Sequence, residues 1–319
     1  MFLSMQMTKT KGAKHITVYA SMGVRRGVSD LLWAFRRKYT LEEFPAYLDD
    51  HPFPVLKRVE GEIRAGLPTA DVVIAPHYLL LQMKHKGLLA QYSPSSATPP
   101  FAQDSSRTWM AIGITSMFPV YSERLKGSVP SSIKEFKNGL SSKVGSQAVL
   151  TSSAGNLTAY YLCALKRILG EDKWREVLKI LGKIKPATYD CIDHLLQALE
   201  AGEKSIALAA YSLAYYRLKE EGAHLQQLKV KELPRLYTFT TAGLLKDAED
   251  SNSAHHFLDF LASKEGQAGI GKIWGILPLT GKSPEKLPEQ WNKKYFFPTE
   301  AEVKDVEKNN KKLAEFGFG

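Results

Sequence analysis

The segment ADVVIAP at 70–76 is an unbroken apolar run of strand length, followed within a few residues by apolar residues at helical spacing. A strand without polar alternation is buried on both faces, the situation of a mostly parallel sheet covered by helices. The rest of the N-terminal part repeats the alternation. ITVYA at 16–20 is a short β-branched run, and Val28, Leu31, Leu32, Phe35 and Tyr39 follow at helical spacing. A helix over Val55, Val59 and Ile63, closed by Gly66, leads into 70–76, and a helix from Leu79 to Lys86 ends at Gly87. This βαβα order predicts an α/β fold.

SPSSATPP from Ser93 reads as a loop before a long strand-like run, WMAIGITSMFPVY at 109–121. Further strands are expected at 144–150, 205–211 and 236–245. Helices are expected over Leu157 to Ile168, Trp174 to Leu181, Ile192 to Leu199 and His256 to Leu261, with a mixed-charge helical tail. At 319 residues the chain has material for about two domains. The net charge is +10, and the first forty residues hold eight basic groups against Asp30 alone, which suits an acidic partner of small or large size. Both signs mix elsewhere, so nucleic acid is not the expected partner. Cys163 and Cys191 lie in periodic apolar sequence and read as buried thiols, with a single disulfide as the alternative. No apolar stretch reaches the length of a membrane span, and MFLSMQMTKTKGAK lacks the apolar core of a signal peptide.

Ligands of open α/β sheets sit beyond the carboxyl ends of the strands. Four such ends carry polar or aromatic groups: Ser21 and Met22 after 16–20; His77 after 70–76; Ser152, Ser153, Gly155 and Asn156 after 144–150; Tyr211, Tyr215 and Tyr216 after 205–210. Small residues and hydroxyls opening a helix at TSSAGN make an anion site, or a plain N-cap. Tyr215 and Tyr216 offer paired phenols, hard oxygen ligands for a highly charged metal ion, or ordinary core aromatics. His255 and His256 do not share a helix face and read as partly exposed surface. The motifs of nucleotide-binding loops, serine hydrolases and zinc proteases are missing.

Several segments carry a resemblance: ITVYAS with LLWAFRRKY, GEIRAGLPTADVVIAPHYLLLQMKHKGLL, YRLKEEGAHL, and FLDFLASKEGQAGIGKIWGILP. Across about Ile16 to Pro278 they resemble the ABC-importer solute-binding proteins of the ferric-iron, phosphonate, thiamine and polyamine cluster. The resemblance implies a two-lobed periplasmic-binding-protein-like fold of type II, with hinged lobes and a central ligand cleft. Residues 14–105 are expected to form the first part of lobe 1, 106–240 lobe 2 with the crossover strands, and 241–319 the return to lobe 1 and the C-terminal tail. It further implies a monomer that delivers a small ligand to a membrane permease, working in the periplasm or outside the cell, with any signal peptide absent from this sequence.

The strand ends and the resemblance together give the expected ligand-binding residues Ser21, Met22, His77, Ser152, Ser153, Gly155, Asn156, Tyr211, Tyr215 and Tyr216. Two ligand classes follow. One is an anionic or phosphorylated organic solute; the other is ferric iron with a synergistic anion, held by Tyr215, Tyr216 and His77 as transported cargo. Against the ferric pattern, Pro76 stands where an acidic ligand is expected, the first loop has no histidine, and Tyr211 occupies the nearer place after its strand. A cationic solute would need a carboxylate in the cleft, and Asp190 is the one near a strand end. No resident cofactor is expected. An enzyme on the same scaffold, drawing on His77 or Cys191, is the competing class.

Overall fold

The computed structural model describes residues 15–21, 25–92, 104–125, 129–137, 144–147, 157–189, 191–273, 275–279, 299–304 and 306–316. In chain order the elements are β1 (Thr17–Ala20), α1 (Arg25–Tyr39), β2 (Ala46–Asp49), α2 (Pro52–Ala65), β3 (Val72–Pro76), α3 (His77–His85) and β4 (Met110–Ser122). A 3-10 turn (Ile133–Lys137) precedes β5 (Val144–Gln147), α4 (Leu157–Leu169), α5 (Glu171–Ile184), β6 (Ala187–Tyr189), α6 (Ile192–Glu200), β7 (Ile206–Tyr211), α7 (Ser212–Glu220) and β8 (Leu225–Gln227). The chain continues through β9 (Leu236–Leu244), α8 (Ser251–Ala262), α9 (Lys264–Ile270), α10 (Glu300–Lys304) and α11 (Val306–Glu315).

The chain divides into two compact units. The first comprises Met1–Gly113, Thr240–Ile273 and Pro278–Gly281; the second comprises Ile114–Phe239, Trp274–Leu277 and Lys282–Gly319. Strands β4 and β9 are therefore each shared between the units by sequence.

In the first unit β1 runs parallel to both β2 and β3, while β3 pairs antiparallel with β9, Pro76 facing Thr240. All five residues of β3 are buried, as its unbroken apolar run requires. Helix α1 turns Val28, Leu31, Leu32 and Phe35 inward, and Phe35 meets Phe257 of α8 edge-on at 4.9 Å. α2 opens with proline at its start, where the missing N–H costs nothing, and closes on Gly66 at φ 64°. Gln267 of α9 ties three segments together. Its amide nitrogen donates to the carbonyls of Ile112 and Leu261, both at 2.9 Å, and its oxygen accepts from the Leu279 N–H at 2.7 Å.

In the second unit β4 pairs antiparallel with β7 and with β8, and β7 continues through parallel β5 to β6. The β4–β7 register shifts between Phe118 and Val120, at Pro119, a residue that has no N–H to give the ladder. The core gathers Phe118, Leu195, Leu196, Leu199, Ala210 and Leu225 around the start of α7. α4 carries Arg167, which pairs with Glu302 of α10 at 2.7 Å, so the C-terminal helices belong to this unit's fabric. Cys163 and Cys191 are both buried and free. Among the described residues no helix is long and apolar enough to cross a membrane.

Three short strands escape the sequence reading. β2, β6 and β8 are three or four residues long and partly exposed, too short for alternation to register. The expected helix at 79–86 instead begins at His77, with no loop after β3.

Candidate functional site

Two strand-to-helix junctions, one in each unit, carry four of the five predicted residues that are described: His77 in the first, and Tyr211, Tyr215 and Tyr216 in the second. In the first unit β3 passes directly into α3. Pro76 stands at the N-cap position at φ −56°, and no side chain caps the first turn. Proline has no side-chain acceptor for the first-turn N–H groups, and the start of a helix carries the positive end of its dipole. His77, the first residue of α3, is buried, and its ring meets Trp109 edge-on with centroids 4.4 Å apart. Burial pushes its imidazole down to about 3, with Lys84 adding to the effect and Asp104 opposing it. His77 is consequently neutral at physiological pH.

Lys84 and Asp104 form an ion pair at 2.8 Å nearby. Burial works against the Asp104 carboxylate, but hydrogen bonds from Lys84, Ser106 and Thr108 outweigh it and hold the group well below the usual carboxylate range. After β1, Ser21 is 4% exposed; its N–H donates to the Ile74 carbonyl at 2.8 Å, and its hydroxyl is buried without a hydrogen-bond partner among the described residues. Met22 lies outside the described residues.

In the second unit β7 passes directly into α7, with Tyr211 at the N-cap position and again no side-chain cap. The Tyr211 phenol is buried and lies 2.9 Å from the Thr115 hydroxyl, which is also 3.3 Å from the Thr238 carbonyl. A hydroxyl has one proton. With that of Thr115 directed to Thr238, the Tyr211 phenol is the donor to Thr115. Ser212 accepts from the Ser116 N–H at 3.0 Å and donates to the Gly275 carbonyl at 2.8 Å. Gly275 sits at φ 79°, and a Cβ there would lie 2.7 Å from the Ser212 backbone, so this approach needs glycine.

Tyr215 and Tyr216 lie in the second turn of α7. Tyr215 packs edge-on against Phe118 at 5.2 Å, within the apolar cluster, and its phenol donates to the Leu225 carbonyl at 3.4 Å. Burial pushes that phenol up, as do Tyr216, Glu123 and Tyr121, against a lowering contribution from Arg235. Tyr216 lies edge-on to Tyr215 at 5.0 Å and packs partly against the same cluster. Among the described residues no group of three or more His, Cys, Asp or Glu side chains is placed to hold a metal ion. Ser152, Ser153, Gly155 and Asn156 lie outside the described residues, as does Asp190.

Thr115 and Ser212 adjoin Tyr211 in the second unit. Position 212 directly follows Tyr211 at the strand end and is legible in the sequence; the contact of Thr115 depends on which strands pair, and no local pattern gives that.

A family model described as bacterial extracellular solute-binding protein matches residues 16–272. The chain belongs to that family. Curated relatives include the major ferric iron-binding proteins of two Neisseria meningitidis strains, of serogroups A and B. Each is 31% identical over 124 residues, a match that spans 36% of this chain and 36% of the relative. Among solved structures, iron-bound HitA from Pseudomonas aeruginosa superposes with a TM-score of 0.73 at 18% identity, covering 95% of this chain and 99% of that one. The AfuA periplasmic binding protein of Actinobacillus pleuropneumoniae, with exogenous fructose-6-phosphate bound, gives 0.72 at 19% identity over 95% and 97%. The substrate-binding protein of an Agrobacterium tumefaciens ABC transporter gives 0.74 at 14% over 96% of each. At such identities these likenesses establish the fold, that of the periplasmic binding proteins.

Proposed function

We propose that this family member is the non-catalytic solute-binding component of an ABC importer, a monomer working outside the cytoplasmic membrane. It captures a small anionic or phosphorylated organic solute and hands it to a membrane permease. The observation that carries this reading is the Tyr211–Ser212 junction, where a buried tyrosine hydrogen-bonded to Thr115 occupies the N-cap position of an α-helix without capping it through its side chain. Such a start favours negative charge, and the uncapped start of α3 offers the same chemistry in the first unit. Ser152, Ser153, Gly155 and Asn156, before α4, add a third anion-binding segment to the proposal, and Ser21 and Met22 complete it in the first unit.

Ferric iron is the second reading, favoured by the identity to the ferric iron-binding proteins of Neisseria. It would call on Tyr215, Tyr216 and His77, with a synergistic anion at 152–156. The packing of Tyr215 into the apolar cluster weighs against it, because ionising that phenol would leave a charge among hydrocarbon side chains. An enzyme reading gains little support: His77 is buried and neutral, and the Cys191 thiol serves as the N-cap of α6, accepting from the His194 N–H at 3.5 Å.

Native mass spectrometry of undialysed protein, with elemental analysis of the same sample, tests the choice. An organic or phosphorus-containing adduct free of metal is expected. Stoichiometric iron would overturn the leading reading in favour of the second.

A further inference from the structure

Arg235, just before β9, is partly buried in the second unit, and its partners among the described residues are all neutral. Its Nη1 donates to the Ser116 hydroxyl at 3.4 Å and its Nη2 to the Gln227 side-chain oxygen at 2.6 Å, while the guanidinium carbon stands 4.0 Å from the centroid of the Phe118 ring. The other arginines that form ion pairs in this unit meet carboxylates: Arg124 with Glu200, Arg167 with Glu302, Arg175 with Glu171 and Arg217 with Asp193. Among the described residues no carboxylate pairs with Arg235.

A guanidinium has five N–H donors, and two are used here, so three remain. Phe118 shields one face of the ion from water, which strengthens any charge–charge contact made at its edge. The hydroxyl that accepts from Nη1 belongs to Ser116, 4% exposed, whose own N–H is bonded to Ser212 at the start of α7. Ser116, having accepted, still has a proton to donate. A partly desolvated planar cation with three spare donors and a hydroxyl donor beside it has the shape of a site for a carboxylate or a phosphoryl group, which such a fork takes in a bidentate manner.

We propose that Arg235, with Ser116, anchors the anionic group of the transported solute. The proposal rests on the anionic-solute reading above and adds a fixed cation to it. The solute supplies the counter-charge that no described residue gives Arg235.

Titration calorimetry of the full chain with fructose 6-phosphate and with citrate, as phosphoryl and carboxylate probes, tests it on Arg235→Gln and Arg235→Lys variants. The parent is expected to bind at least one probe. Arg235→Gln should weaken that binding about 10- to 100-fold, the loss typical of one charge-assisted contact, while Arg235→Lys retains part of it because charge survives without the fork. The probe whose affinity falls identifies the anionic group. Parent-like affinity in Arg235→Gln, within twofold, would overturn the anchor and leave the anionic-solute reading standing. Should Arg235→Gln fail to fold, parent-like affinity in Arg235→Lys overturns the bidentate anchor just as well. A parent that binds neither probe defeats both readings together.

Discussion

The phenolic oxygen of Tyr211 lies 2.9 Å from the hydroxyl oxygen of Thr115, across the ladder in which Met117 faces Tyr211. This bond fixes the phenol at the helix start and orients its lone pairs. Tyr211→Phe is expected to cost about 1 kcal/mol of stability, the worth of one neutral hydrogen bond, and to lower solute affinity about tenfold. Melting and calorimetry with the solute found in native mass spectrometry check both. Unchanged affinity would remove Tyr211 from the site.

Tyr215 serves the core. Tyr215→Phe should change stability by about 1 kcal/mol or less, because the phenol's one bond to the Leu225 carbonyl is long at 3.4 Å. Tyr215→Ala should cost about 3–5 kcal/mol through the cavity left beside Phe118. Addition of ferric nitrilotriacetate to the parent should produce no visible phenolate-to-iron absorption that Tyr215→Phe removes. The appearance of such a band, lost in that variant, would restore the ferric assignment.

His77 makes stability depend on pH. Its folded value, about 3, lies below the ordinary 6.5, so the folded state keeps it neutral while the unfolded chain takes up a proton. The stability held above 6.5 is lost progressively as pH falls from there toward 3. Between pH 7 and pH 5 this amounts to about 2 kcal/mol. His77→Gln should flatten the thermal midpoint across that window; an equally steep profile in the variant would assign the acid sensitivity elsewhere.

Gln267→Leu should destabilise the first unit by about 2–4 kcal/mol. The isosteric side chain leaves the carbonyls of Ile112 and Leu261 and the Leu279 N–H without their partner. Urea denaturation monitored by circular dichroism measures it, and a midpoint equal to the parent's would mean that water replaces the amide.

Most of the fold was legible because each long element carries its own signal. The unbroken apolar run of β3 predicts a strand covered on both faces, and Val28, Leu31, Leu32 and Phe35 mark the buried side of α1. Ser21, His77 and Tyr211 are legible as residues that close or follow apolar strands. The direction of a side chain is not. Tyr215 and Tyr216 read as core aromatics or as metal ligands, and the choice turns on Phe118, nearly a hundred positions away, and on the helix starting at Ser212 with no intervening loop. Arg235 went unnoticed for a related reason: an unpaired charge is visible only when its neighbours are known.

The junctions at Pro76–His77 and Tyr211–Ser212 leave no slack between strand and helix. One added residue would turn the following helix by about 100°. In α7 that rotation would carry Leu213 and Tyr215, 1% and 7% exposed, away from the interior they fill. An alanine inserted after Tyr211 should therefore lower the thermal midpoint more than any substitution above, and a midpoint within a few degrees of the parent's would refute this. Side chains at these two junctions can therefore be exchanged in the descendants of this chain, while the spacing itself is closed to evolution.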